Sequence, residues 1–263
     1  MIEILQDSHW EKIPNLVYGF TTRWGGVSSP PYEEFNGSLS VGDDPLAVET
    51  NRKRFSEQLG ISLSQCFTVR QVHGNDILVI DKEGSLPDSK DLQKGHDALI
   101  TNRVEVLLGI QTADCLPLLM VDVEKNVAAA VHAGWKGTYL GIAMKVIAEM
   151  SRLYQSSPRE VQVLLGPSIG RCCYQFGDPE IQEFKERYLH HARWIESRSG
   201  SYFLDIREAN RCQLLSRGVP AENIRSITRC TCCEREEFFS VRREETTGRH
   251  LNFIMLRSKG GLR

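Results

Sequence analysis

An α/β fold of the α+β kind, with mixed β-sheets layered against helices, is predicted from three features of the chain. Strand-like runs alternate with helix-like stretches along the sequence. Several strand candidates are apolar on both faces, as strands buried between layers are. No repeat, low-complexity linker or compositional shift divides residues 1–263, so one domain is expected. A chain of 263 residues can bury ~75% of its unfolded surface, and a substantial core then needs no staples.

The strand candidates are 66–72, 77–80, 104–111, 116–121, 127–131, 161–165, 224–228 and 251–255. All are rich in Val, Ile and Leu and closed by Gly, Asp or Pro. After the fifth, Thr138 is placed to cap a helix whose Leu140, Ala143, Met144, Ile147 and Met150 keep the three-and-four spacing of one buried face. A second helix is expected from Asp178-Pro179-Glu180, with Asp as N-cap and Pro at the first helical position. A third runs from Asp205, with Glu208 set for a capping box, to Arg217, where Gly218 supplies a left-handed stop. Strand order is not written in a single sequence.

Apolar residues make up 41% and charged residues 25%, as in an ordinary soluble globular protein. With 32 basic and 34 acidic residues the net charge is -2, which gives no bulk attraction to nucleic acid or to an anionic membrane. An anionic substrate must therefore be gripped locally. The N-terminus lacks a basic stretch followed by an apolar one, and no run of ~18 apolar residues is present to span a membrane. A cytoplasmic location is expected. Eight cysteines in a chain of this kind read mostly as reduced, small core residues. The Cys230-Thr231-Cys232-Cys233 cluster lacks nearby histidines and a paired partner, so no metal is assigned to it.

His73, Cys115 and His132 each sit where an apolar run breaks into a turn, at or just beyond the end of a predicted strand. Imidazole nitrogen and thiolate sulfur suit zinc, and copper also binds such sites tightly. Three protein ligands leave a fourth position for water or substrate, which is the mark of a catalytic site. Gly74 and Gly134 allow close backbone approach beside the histidines. Asp114, next to Cys115, is a candidate acid, base or imidazole partner, and Trp135 offers a flat face for a heterocycle. Arg23, Arg52, Lys136 and the Arg242-Arg243 pair are candidate anion donors, as are the backbone N–H groups of the turn 166–170.

Phe20-Thr21-Thr22-Arg23, Gly25-Gly26-Val27-Ser28, Val41-Gly42-Asp43-Asp44-Pro45 and Asn51-Arg52 open a series of short motifs. Gln71-Val72-His73-Gly74, Thr112-Ala113-Asp114-Cys115, His132-Ala133-Gly134-Trp135 and Phe238-Phe239-Ser240 with Arg242-Arg243 complete it. Together they resemble the YfiH/YlmD family, labelled both laccase-like polyphenol oxidase and purine nucleoside phosphorylase. The segment Asn36-Gly37-Ser38-Leu39-Ser40 departs from the Asn-Leu usual there. The resemblance implies zinc on the residues matching His73, Cys115 and His132. It also implies phosphorolysis of adenosine, inosine, guanosine and methylthioadenosine, and deamination of adenosine to inosine. Purine nucleoside and phosphate are then the expected partners, with no partner protein indicated. Catalytic roles fall to Cys115, Asp114 and Arg52, and substrate contacts to Arg23, Asn36, Trp135 and Arg243. Deamination asks for an activated water and a proton-handling acid such as Asp114; phosphorolysis asks for a cationic clamp such as Arg52 or Arg243.

Three other readings compete. A multicopper oxidase needs several His-x-His pairs, and the seven histidines form none. A cysteine or metal hydrolase of an amide or peptide-like substrate would use Cys115 as a nucleophile activated by His73 or His132, and the family resemblance implies cell-wall (peptidoglycan) precursors as that substrate. A binding module without turnover leaves the clustered polar strand ends unexplained. The zinc deaminase signature His-x-Glu with Pro-Cys-x-x-Cys is absent, as are Gly-x-Gly-x-x-Gly and the phosphate-binding loop.

Overall fold

The computed structural model describes residues 1–188 and 193–258. In chain order its strands are β1 (Ile4–Leu5), β2 (Leu16–Thr21), β3 (Cys66–Thr68), β4 (Ile77–Ile80), β5 (Ala98–Thr101), β6 (Leu107–Thr112) and β7 (Leu116–Asp122). There follow β8 (Val127–Ala133), β9 (Gln162–Leu165), β10 (Gln175–Phe176), β11 (Ile195–Arg198), β12 (Ser201–Leu204), β13 (Ile224–Ser226) and β14 (His250–Leu256). The helices are α1 (Pro45–Leu59), α2 (Ser89–Gln93), α3 (Trp135–Tyr139), α4 (Ile142–Tyr154), α5 (Asp178–Arg187) and α6 (Ile206–Ser216).

A five-stranded sheet is ordered β1-β2-β14-β6-β3 and a six-stranded sheet β13-β9-β7-β8-β5-β4, with β10-β12-β11 as a small third sheet. Parallel pairs (β3 with β6, β4 with β5, β13 with β9) mix with antiparallel ones. This matches the mixed α/β expectation.

Alternation along the strands shows how the layers stack. In the six-stranded sheet, Leu118, Met120, Ala129 and Val131 face one core with Val146, Met150 and Leu214 of α4 and α6. Leu119, Val121, Ala128 and Ala130 face the opposite way, onto Phe20, Leu108, Ile110 and Ile254 of the five-stranded sheet. The far side of that sheet buries Leu107, Phe253 and Met255 against Phe55 of α1. The order of layers is helix, sheet, sheet, helix. Strands in the two central layers are covered on both faces, which is why β7, β8 and β14 are buried at every position.

Several boundaries differ from expectation. The run 66–72 pairs only as far as Thr68, and β8 continues through His132 to Ala133. Thr138 is not a cap: the chain first makes the short α3, turns left-handed at Gly141 (φ 75°), and α4 starts after it. Instead the Thr138 hydroxyl accepts a hydrogen bond from Asn210 at 2.9 Å. Gly177, not Asp178, caps α5. Asp205 caps α6 as expected, accepting from the Glu208 N–H at 2.9 Å. The Glu208 carboxylate, however, meets Arg211 and Cys212 along the helix rather than turning back to the cap. Helix α1 was not anticipated, although Asp44 and Pro45 start it and Gly60 ends it. Its apolar positions Leu46, Val48, Phe55 and Leu59 are too sparse to give a clear periodic stripe.

Candidate metal centre

Register assembles the centre. Pro117 pairs with His132 and Leu116 with Ala133 across β7 and β8, so Cys115, the residue before β7, arrives beside the end of β8. By alternation His132 shares the face of Ala128 and Ala130 and closes one end of the layer between the sheets. His73 comes in on the chain beyond β3, with a left-handed backbone (φ 59°). The ligand atoms of His73, Cys115 and His132 lie within 4.8 Å of one another. The two imidazoles meet edge to face, 4.8 Å between centroids.

Gly134 leaves room for this convergence. A Cβ there would stand 3.0 Å from His73 Cδ2 and 3.1 Å from Cys115 Sγ. Gly74 acts otherwise: a Cβ at that position would meet only ordinary contacts, and its N–H donates to Asp97 Oδ2 at 2.7 Å.

Asp97, immediately before β5, was missed in the sequence. Its carboxylate is fully buried and accepts the N–H groups of Val72, His73 and Gly74, so it shapes the loop that carries His73. Asp97 Oδ1 also stands 2.8 Å from His132 Nδ1. A carboxylate on the far nitrogen fixes the tautomer and orientation of a metal-binding histidine and raises its basicity. Burial pushes the Asp97 carboxyl up, but its hydrogen bond and charge contact with His132 and the backbone N–H donors hold it below the usual range.

Burial likewise raises the Cys115 thiol, yet the charge and hydrogen bonds of His132 and His73 bring it down to about 6. Against its own burial, His132 is lifted to about 9 by the Cys115 thiolate and Asp97. Thiolate is the form of cysteine that binds metal and attacks carbon.

These residues form one wall of a cavity of about 910 Å³. Arg52, Arg70, Arg242 and Arg249 also line it, together with Trp135 and Tyr174. Arg52 Nε donates to Gly37 O at 2.9 Å, Arg242 Nη1 to Gln175 O at 3.0 Å and Arg249 Nη1 to Thr247 O at 2.8 Å. Trp135 packs edge to face on Phe176.

Other expected site residues have structural engagements. Arg23 is buried away from the cavity lining, bonded to Glu33 O and Arg235 O and stacked on Phe239. Arg243 donates to Thr231 O, Cys232 O and Phe238 O and pairs with Glu244; its neighbour Arg242 faces the cavity instead. Asn36 is fully buried, with its amide on Ser38 O and Asp43 and its oxygen accepting from Ser38 and Arg249 N–H groups. It thereby holds the loop from which Ser38 to Val41 line the cavity. Asp114 reaches the cavity with a left-handed backbone (φ 93°), but one carboxylate oxygen accepts from Thr231 Oγ1 and the other from Arg242 N–H, both at 2.7 Å. The imidazole partner is Asp97, not Asp114. In the turn 166–170, Ile169 N–H donates to Asp114 O and Gly170 N–H to Cys230 Sγ, so these groups brace the protein.

Layered sheets whose ends bring two imidazoles and a thiol together beside four arginines define the class: a layered α/β protein with a group of side chains able to hold a metal ion at the wall of an arginine-lined cavity. The chain belongs to the family described as multi-copper polyphenol oxidoreductase laccase, which matches residues 17–257. It is 38% identical over 244 residues to "Purine nucleoside phosphorylase YlmD" of Geobacillus stearothermophilus, covering 90% of this chain and 89% of the relative. "Adenosine deaminase RL5", from an unknown prokaryotic organism, is 35% identical over 249 residues, covering 92% of this chain and 94% of the relative. The crystal structure of the Bacillus licheniformis hypothetical protein YfiH superposes with a TM-score of 0.89 at 32% identity, covering 97% of this chain and 96% of that one.

Proposed function

We propose that this protein is a zinc-dependent purine nucleoside enzyme that cleaves adenosine, inosine, guanosine and methylthioadenosine with phosphate and also deaminates adenosine to inosine. One observation carries the reading: the His73, Cys115 and His132 ligand atoms, within 4.8 Å of each other, share a cavity with four arginines. The relatives named for phosphorylase and deaminase activity support the substrate class.

The donor set fits zinc. Two imidazoles and a thiolate match its ligand preference, and Asp97 holds His132 by Nδ1 so that Nε2 is free to coordinate. Zinc held by these three residues would supply Lewis-acid chemistry to the substrate.

Phosphorolysis has phosphate oxygen attack the anomeric carbon while the bond to the base breaks and its electron pair leaves with the base. Arg52, Arg242 and Arg249 are each anchored to a backbone carbonyl through one nitrogen, which aims the rest of a planar guanidinium. With Arg70 they can neutralise phosphate and hold it against the sugar. Trp135 offers a face for the purine, while Tyr174, buried with the Arg242 guanidinium over its ring, backs that guanidinium. Asp114 positions Arg242, since both its oxygens are committed.

A second reading also has an observation in its favour. Asp97, His132 and Cys115 are connected in series, as a nucleophilic cysteine, its base and the base's orienting carboxylate would be. His73, also hydrogen-bonded to Cys115, has no part in such a triad but is required as a ligand. The polyphenol oxidase reading is weaker, because among the described residues a single ligand cluster contains imidazole.

The test is metal analysis of protein purified without added copper, then incubation with adenosine with and without phosphate, following adenine and inosine. Zinc should be present, adenine should appear only with phosphate, and inosine should appear without it. Cys115→Ala should abolish both, and Arg249→Ala should raise the phosphate KM about tenfold or more, as loss of a charge-assisted contact does. Chelation should stop turnover while Cys115 stays reactive to alkylation. Unchanged products from Cys115→Ala would refute the metal reading, and activity that survives chelation but not alkylation would install the nucleophile.

A further inference from the structure

Outside the cavity lining a second cluster of sulfur atoms comes together, with Cys172 and Cys233 exposed and Cys173 and Cys230 half-buried. Cys172 and Cys173, in the turn after β9, meet Cys230 and Cys233, which lie after β13, and the four sulfurs fall within 4.8 Å of one another. Cys172 Sγ is 3.5 Å from Cys230 Sγ and 3.5 Å from Cys233 Sγ, and Cys173 Sγ is 3.4 Å from Cys233 Sγ. All four are free thiols. Ligands ~2.3 Å from a tetrahedral centre stand about 3.8 Å apart, so these sulfurs are spaced for a common ion. Cys230 and Cys233 have the Cys-x-x-Cys spacing, and folding supplies the partner pair the sequence alone withheld from them.

The surroundings are shaped to the sulfurs. A Cβ on Gly170 would lie 3.0 Å from Cys172 Sγ and 3.3 Å from Cys230 Sγ, so the glycine leaves room for both to approach without being pushed aside. The Gly170 N–H donates to Cys230 Sγ at 3.2 Å, an interaction that stabilises a coordinated thiolate. Arg198 acts electrostatically on Cys172, and Arg207 on both Cys172 and Cys230. Four thiolates around a divalent ion carry a net charge of about -2; the half-buried Arg207 guanidinium offsets part of it, while Arg198 is also paired with Glu196.

We propose that Cys172, Cys173, Cys230 and Cys233 hold a second, four-coordinate zinc ion that is structural rather than catalytic. Binding releases the thiol protons to solvent and involves no redox change. The ion staples segments 58 residues apart. One carries Tyr174 into the cavity wall, and Cys173 O accepts from Arg242 at 3.3 Å. The staple therefore supports the wall that bears Arg242. Closure by four protein ligands leaves no position for substrate, the opposite of the His73, Cys115 and His132 centre.

Zinc content is measured after reduced protein is equilibrated with zinc and desalted. Wild type should hold about two ions per chain, Cys230→Ser/Cys233→Ser about one, and Cys232→Ser, outside the set, as many as wild type. X-ray absorption of the zinc kept by His73→Ala/Cys115→Ala, whose four thiols are intact, should show sulfur neighbours only, at ~2.3 Å. No zinc in that variant, nitrogen or oxygen neighbours around it, or a full complement in Cys230→Ser/Cys233→Ser would overturn the proposal. This outcome is independent of nucleoside turnover, so it stands or falls apart from the proposed activity.

Discussion

Asp97 and His250 show how a single buried side chain sets the chemistry of its neighbours. Asp97 accepts three backbone N–H groups from the His73 loop and bonds the His132 imidazole, so one carboxylate positions two of the three proposed ligands. His250 is buried with Nδ1 3.0 Å from Thr112 O and Nε2 accepting the Phe239 N–H at 2.9 Å. That arrangement needs the neutral ring, because a second ring proton would point at the Phe239 N–H. Burial first, and then the nearby Arg23, Arg249 and Arg243, bring His250 from 6.5 down to about 3. Below about pH 6.5 the unfolded chain binds a proton here that the folded one refuses, so stability falls with pH until about pH 3. Its slope is up to about 1.4 kcal/mol per pH unit, with no contribution above that window. Denaturant unfolding at a series of pH values should show a shallower decline for His250→Gln than for wild type. Parallel curves would mean that His250 is not the group responsible.

At the scale of elements, the turn from β8 into α3 is the critical one. Gly134 has φ -72°, which any residue tolerates, so alanine there strains no backbone; its Cβ instead meets His73 and Cys115. Gly134→Ala should leave the fold within about 1 kcal/mol of wild type yet weaken zinc binding about tenfold or more, as displaced ligands do. Competition with a colorimetric chelator, beside a thermal melt, would separate the two effects; unchanged affinity would remove Gly134 from the centre. The strands β7, β8 and β14 and the capped start of α6 were legible because burial on both faces and an Asp N-cap are local signals. Helix α1 and the break at Gly141 were not. In α1 the apolar positions are sparse, and the α4 stripe reads continuously through a turn that tertiary packing of Thr138 on Asn210 interrupts.

For the whole molecule, the layer between the two sheets is the common foundation, with Leu119 of β7 fully buried in it. Leu119→Ala should cost about 2–5 kcal/mol, as truncation of a buried leucine does, and lower the melting temperature. It should spare metal affinity in whatever fraction remains folded, since Leu119 is not among the residues of the cavity wall. A mild melt shift, or loss of zinc from folded protein, would show that the layers are coupled to the centre otherwise. No helix among the described residues is long and apolar enough to cross a membrane. By itself the sequence determined the α/β class, most central strands and the types of residue able to ligate a metal, since these follow from periodicity and from side-chain chemistry. Tertiary structure alone decided that Asp97 rather than Asp114 partners His132, that Arg242 and Arg249 rather than Arg23 and Arg243 face the cavity, and that two distant cysteine pairs meet. The reason is physical: strand register and sheet packing join positions 35, 58 or more residues apart, and no local pattern encodes which of several similar side chains that packing turns inward.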